Sequence, residues 1–165
     1  GYVNGEEGNL IGEARKRGYI KALTEHNLPV NENYFYRIKV KDKRDDYISG
    51  HDVGREFCKR SDRPRAMFIY NDLSALGFKD ALDDFGLKVP EDVAIIGFDD
   101  IAGGITLENR LTSVHQPTDK IGKLAVKNLL KMIHGESVDP PQKRILKPKL
   151  VVRESCGAKK LVEDY

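Results

Sequence analysis

Two short polar endings carry the chemistry this sequence offers: Asn71-Asp72, which closes the apolar run Ala66-Met67-Phe68-Ile69-Tyr70, and Asp99-Asp100, which closes Val93 to Phe98. Runs of that length and composition are expected of strands buried on both faces of a parallel sheet, so an amide and carboxylates stand at the carboxyl ends of two strands. Ligands of open α/β sheets bind in the crevice beyond those ends, and Asn71 and Asp99 therefore point to one mouth. The chemistry is recognition of hydroxyl groups. A carboxylate accepts from two neighbouring hydroxyls, a guanidinium donates to two oxygens, and a carboxamide does one of each. Each residue also has a structural use: Asn71 can cap the helix that follows it, and Asp99 can tie down its loop.

Catalytic constellations are weak by comparison. Histidines 26, 51, 115 and 134 fall on different elements and form no ligand pair at helical spacing. Gly5, Gly8 and Gly12 surround a strand-to-helix turn, but their spacing is neither the dinucleotide fingerprint nor the P-loop. The pairs Asp45-Asp46, Asp83-Asp84 and Asp99-Asp100 invite comparison with a phosphoacceptor receiver. A receiver needs its paired acids after the first strand and a lysine-bearing strand after its phosphoacceptor, and Asn4 to Glu7 with Asp72 fit that poorly. No enzymatic activity, cofactor or metal is expected.

The elements that hold these endings repeat one unit. Gly1 to Asn4 reads as a strand, and a helix follows from about Leu10 to His26, with Ile11, Ala14, Gly18 and Ala22 on the face expected to lie close on a sheet. Tyr34, Tyr36, Ile38 and Val40 alternate with Phe35, Arg37 and Lys39 as in an edge-like strand. A helix from about Ser49 to Arg60 turns Val53 and Phe57 inward, and another, capped by Asn71 or Asp72, runs to Phe85, with Gly86 as its left-handed terminator and Pro90 as a stop. Strands begin at Ala66, Val93 and Leu111. An amphipathic helix from about Asp119 to His134 is capped by Thr118, and Pro140-Pro141 precedes two short closing strands near Lys143 to Leu146 and Lys149 to Arg153. Alternation of this kind implies an α/β fold, a mostly parallel sheet with helices on both faces.

The residues from Arg65 to Pro117, with Asn71-Asp72, Val89-Pro90-Glu91-Asp92-Val93, Gly97-Phe98-Asp99-Asp100 and Leu111-Thr112-Ser113-Val114-His115-Gln116-Pro117, carry a family likeness. They resemble the effector-binding domain of the lac-repressor (LacI/GalR) family of bacterial transcription regulators. Gly5 to Gly18 is similar to the segment bearing that family's ligand-binding arginine, and Leu150 to Ser155 to its closing strand. The resemblance implies a type I periplasmic-binding-protein-like fold of two lobes around a small molecule, usually a sugar. It also implies a homodimer, and DNA contacts made only through a helix-turn-helix domain absent from this chain. Residues 1–113 and 141–155 would form the carboxyl-terminal lobe, 117–135 the crossing helix of the other lobe, and 156–165 a tail. By the same resemblance Arg15 grips the effector beside Asn71 and Asp99, Asn9 and Ile11 occupy further pocket positions, and Leu76 and Leu107 belong to a dimer interface. The position that often bears a stacking aromatic holds Asp45, with Asp46 beside it. Extra carboxylate with less ring surface favours a strongly hydroxylated ligand over a nucleobase.

Composition agrees with a binding domain. At 165 residues and 39% hydrophobic content the chain forms one domain without a disulfide or metal staple. The net charge of +2, from 28 basic and 26 acidic residues spread along the chain, is no electrostatic footprint for DNA. Cys58 and Cys156 read as reduced thiols, and neither a secretory signal nor a membrane-length apolar run is present, so a soluble cytoplasmic protein is expected. The chain opens directly in a strand, as a piece of a longer protein would. Two other readings share the fold class: a sugar- or solute-binding lobe of a transport or sensor protein, and a flavodoxin-like enzyme.

Overall fold

A computed structural model describes residues 1–39, 45–101, 110–135 and 144–158. In chain order its elements are β1 (Tyr2–Asn4), α1 (Leu10–Glu25), β2 (Phe35–Arg37), α2 (Asp46–Cys58), β3 (Ala66–Ile69), α3 (Asp72–Asp84), β4 (Ala94–Asp99), β5 (Thr112–His115), α4 (Thr118–Ile133) and β6 (Lys149–Val151). The strands form one six-stranded sheet in the order β2-β1-β3-β4-β5-β6, with β6 antiparallel to β5 and every other pair parallel. From β1 the chain steps outward to β2 and then returns to β3 on the opposite side. That reversal leaves a crevice between the carboxyl ends of β1 and β3.

Strand alternation sorts the core into two layers. Tyr2 pairs across the sheet with Phe35 and Phe68, and these rings meet α1, where Tyr19 stacks on Tyr2 at 5.5 Å between centroids. Val3, Tyr36, Met67, Ile69 and Ile95 belong to the buried core together with Phe57 of α2 and Phe78 of α3, whose rings meet edge to face at 5.1 Å.

The packed face of α1 is rotated from the expected one. Gly12 is buried and Tyr19 and Leu23 are half-buried, whereas Ile11, Ala14, Gly18 and Ala22 face outward. Two aromatic rings remove more apolar surface from water than a stripe of alanine and glycine, and the Tyr2–Tyr19 stack decides which side of α1 meets the sheet. Gly18 is accordingly not a close-packing residue, since a Cβ there would meet nothing within 4 Å.

Glycines do permit close approach between α2 and α3. A Cβ on Gly50 would lie 2.2 Å from the Ser74 carbonyl oxygen, and one on Gly77 would lie 1.9 Å from that of Tyr47. The two helices therefore touch backbone to backbone. Across their outer side Tyr47 donates to Asp80, and His51 Nε2 lies 3.0 Å from Asp84.

Helix ends follow the expected chemistry with one exception. Asn71 caps α3 by accepting from the Ser74 amide at 2.8 Å, and Gly86 (φ 71°) ends it, with the Leu87 amide donating to the Leu82 carbonyl at 2.9 Å. Thr118, expected as the cap of α4, is instead its first helical residue; Pro117 holds the cap position and makes no side-chain capping bond. Of the two closing strands only β6 forms. Residues 144–148 are not a strand, because β6 already occupies the edge of β5, while Lys143 and Pro140-Pro141 lie outside the described residues.

No residue of α4 is buried. Ile121, Val126, Leu129, Leu130, Met132 and Ile133 stand between 47% and 67% exposed. Of the apolar stripe read from the sequence, Ile121, Ala125, Leu129, Met132 and Ile133 are exposed and Leu124 is half-buried, while Val126 and Leu130 add exposed apolar surface on another side of the helix.

Two outcomes are expected. Gly77→Ala should lower stability in urea denaturation by about 3 kcal/mol, the upper range for overpacking. Gly18→Ala should raise it by about 0.5–1 kcal/mol, because an open helical position gains only propensity. In hydrogen exchange of the dilute protein, amides of α4 should be the least protected of the four helices; protection equal to that of α2 would contradict an unpartnered α4.

Candidate ligand-binding site

The carboxyl ends of β1, β3 and β4 deliver the site. Beyond β1, Gly5 has no room for a side chain, since a Cβ would sit 2.8 Å from Asn9 Nδ2 and 3.1 Å from the Tyr70 ring. Asn9 caps α1 by accepting from the Gly12 amide at 3.0 Å. The helix so started carries Arg15 across the sheet, where it reaches two strands. Its guanidinium donates to the Tyr70 carbonyl oxygen at the end of β3 and to Asp99 Oδ1 at 3.0 Å at the end of β4, and it lies 3.7 Å from the centre of the Phe98 ring. A planar, weakly hydrated cation can satisfy an oxygen at its edge and a ring at its face together, which an ammonium cannot do as well.

Asp99 is the centre of this arrangement. Gln116, just beyond β5, donates to the same Oδ1 at 2.6 Å. Among the described residues every hydrogen bond to the Asp99 carboxylate falls on Oδ1, and the side chain is 28% exposed against 12% for Arg15. Oδ2 of Asp99 accepts no hydrogen bond from the described residues. The backbone at Asp99 is left-handed, with φ of 106°.

A second carboxylate is held nearby. Asp45 caps α2 through the Tyr47 amide at 3.0 Å and is exposed, whereas Asp46 turns inward. Asp46 accepts from the Tyr70 hydroxyl and, at 2.8 Å, from Asn71 Nδ2. Burial, followed by this bond to a carboxylate, pushes the Tyr70 phenol well above its ordinary range, so it stays protonated as a donor. Asp46, Tyr70, Arg15, Asp99 and Gln116 thus form a continuous chain of contacts across the strand ends.

Sequence reasoning brought Arg15, Asp99 and Asp46 to one place. Asn71 is there too, but both ends of its buried amide are taken, by the cap of α3 and by Asp46. It positions Asp46. Asn9 is spent on its own cap, and Ile11, 62% exposed, projects from the first turn of α1. Leu76, expected at a dimer interface, is 8% exposed in the single chain and lines a groove with Val89, Ile95 and Leu111. Leu107 lies outside the described residues. Tyr70, Phe98 and the Gln116 contact were not anticipated; the Tyr70 hydroxyl serves Asp46 and the Phe98 ring serves Arg15, both distant in sequence.

A mostly parallel sheet with a reversal at β1 and facing polar groups at its carboxyl ends defines one lobe of a receptor of the periplasmic-binding-protein type. The comparisons agree. The family described as periplasmic binding protein-like domain matches residues 1–156. The arabinose metabolism transcriptional repressor of Geobacillus stearothermophilus is 35% identical over 149 residues, covering 89% of this chain and 40% of that protein. The HTH-type transcriptional repressor PurR of Yersinia pestis is 33% identical over 157 residues, or 95% of this chain and 44% of that one. Among solved structures, the regulator CelR in complex with cellobiose superposes with a TM-score of 0.78 at 32% identity over 93% of this chain and 45% of CelR. A LacI family regulator of Lactobacillus casei with bound sucrose gives 0.76 at 29% identity over 93% of this chain and 55% of that one. The chain belongs to the periplasmic binding protein-like domain family, among the effector domains of LacI-type transcription regulators. It spans less than half the length of the curated relatives it matches.

The left-handed backbone at Asp99 separates two substitutions that both delete the carboxylate. Asp99→Gly should be more stable than Asp99→Ala by about 1 kcal/mol, because only alanine pays the Cβ penalty of that conformation. Thermal unfolding of the two variants checks this, and equal stabilities would mean that the turn relaxes once the Arg15 contact is gone.

Proposed function

We propose that this chain is the effector-sensing part of a bacterial LacI/GalR-type transcription regulator and that its effector is a sugar or related polyol. The observation that carries the reading is the Asp99 carboxylate, fixed through Oδ1 by Arg15 and Gln116 and with Oδ2 bonded to nothing among the described residues. Such a group accepts from a hydroxyl without reorganising, and the Arg15 edge can donate to the neighbouring oxygen. The Phe98 ring is already covered by Arg15, so the site offers polar edges in preference to a stacking face. That matches hydroxylated ligands of the kind named for the cellobiose and sucrose complexes of its structural relatives.

In this reading residues 1–113 and 141–155 form the carboxyl-terminal lobe, and 117–135 cross to a first lobe that supplies the other wall. The exposed apolar face of α4 supports the second assignment. The regulator acts as a cytoplasmic homodimer and touches DNA through a helix-turn-helix domain outside this chain. No helix among the described residues is long and apolar enough to cross a membrane. Effector held between two lobes favours the closed arrangement by its differential affinity, and DNA affinity follows that equilibrium.

Calorimetry of the regulator with both lobes, titrated with arabinose, cellobiose and sucrose, tests the proposal. At least one of these sugars should bind, and Asp99→Asn should weaken it tenfold or more, equivalent to about 1.4 kcal/mol. Binding unaffected by Asp99→Asn would remove Asp99 from the site.

A further inference from the structure

Asp72 is a buried carboxylate for which the binding site has no direct use. It is the first residue of α3, only 5% exposed, and burial raises its pKa above the ordinary aspartate range. The cap position beside it belongs to Asn71, so helix capping does not account for it. Its oxygens turn instead toward the neighbouring strands. Oδ1 accepts from the Ser113 hydroxyl at 2.6 Å, and Oδ2 accepts from the Ile101 amide at 2.9 Å. Ser113 Oγ in turn accepts from the Asp100 amide at 3.0 Å. The two amides that follow Asp99 are thus collected by one carboxylate, one directly and one through a hydroxyl.

Those amides belong to a turn that does not hold itself. Asp99 and Asp100 both have positive φ, 106° and 52°, a conformation unfavourable for a residue with a Cβ. Room for the brace is reserved by Gly97, where a Cβ would lie 2.2 Å from Asp72 Oδ1. The Asp100 side chain is held separately, by Arg153 at 2.7 Å and His115 Nδ1 at 3.1 Å.

We propose that Asp72 is the positioning residue of the site: through Ser113 and the Ile101 amide it holds the left-handed Asp99-Asp100 turn that aims Asp99 at Arg15. Its functional meaning rests on the reading of Asp99 as an effector-binding group, but its test needs no ligand, so the two ideas fail separately. Asp72 touches no effector; it sets where Asp99 stands.

The readout is the Arg15 side chain in NMR spectra of the arginine-labelled protein, assigned by its absence in Arg15→Lys. Stacking on Phe98 displaces its resonances upfield, and Asp99→Ala supplies the released reference. Asp72→Ala and Ser113→Ala should each move the Arg15 resonances at least halfway to that reference. Asp72→Asn, which can still accept from Ile101 and donate to Ser113 Oγ, should restore most of the displacement. Leu82→Ala, a buried α3 substitution away from the turn, should leave it unchanged although it lowers stability. If Asp72→Ala does not fold, Ser113→Ala decides. Arg15 resonances that stay at the wild-type position in Ser113→Ala and Asp72→Ala would overturn the proposal.

Discussion

The contact between the backbones of α2 and α3 is the constraint on which the rest of this lobe depends. Gly50 lies where any side chain would strike Ser74, Gly77 where it would strike Tyr47, and Gly54 where a Cβ would stand 2.6 Å from that of Ala81. Interiors are packed too densely to absorb such overlaps, so the helices reach this separation only because these positions lack side chains. The approach seats Phe57 against Phe78 beneath the sheet. It also brings the first turn of α2 over the first turn of α3, where the Ser74 hydroxyl donates to the Asp46 carbonyl oxygen at 3.1 Å. The position of the Asp46 carboxylate is therefore a consequence of helix packing nearly a full helix long, set by residues that never touch the crevice.

Electrostatics at the crevice is resolved by sharing. A half-buried guanidinium with no counter-charge would be strongly unfavourable, and Arg15 meets its need with a carboxylate, a carbonyl oxygen and the face of a ring. Asp99, more exposed than its partner, keeps a side open to water. The pair is thus stable without a ligand and still able to accept one. Asp46 shows the same logic with neutral donors, because the Tyr70 hydroxyl and the Asn71 amide hold its oxygens without cancelling its charge.

The strands and their polar endings were legible because each is a local pattern: an apolar run that stops at an amide or a carboxylate. Asn71 capping α3 and Gly86 closing it were legible for the same reason. The orientation of α1 was not, because it is decided by Tyr2, a residue on another element, whose ring selects Tyr19 over the nearer-looking stripe of small residues. Leu76 was read only by resemblance, and its place on a groove with Val89 and Leu111 depends on strands and loops distant in sequence. The division of labour between Asn71 and Asp46 was equally hidden. Both residue types suit a hydroxyl, and which one serves the other depends on the α2–α3 separation, a tertiary quantity written in glycines.

Gln116 joins the site to the element that leaves it. It donates to Asp99 Oδ1 at 2.6 Å, and the next residue, Pro117, is the cap of α4. On the opposite strand edge, His115 pairs with Asp99 in the β4–β5 ladder and its ring meets Asp100. The start of α4 is thus fastened to the Asp99-Asp100 turn from both its preceding residues, while the rest of α4 has no buried side chain. A helix tethered at one end and unpacked along its length takes its direction from the tether. The turn that carries Asp99 is therefore also fastened to the start of α4, and because Arg15 and Gln116 donate to the same Asp99 oxygen, a change in one contact bears on the other.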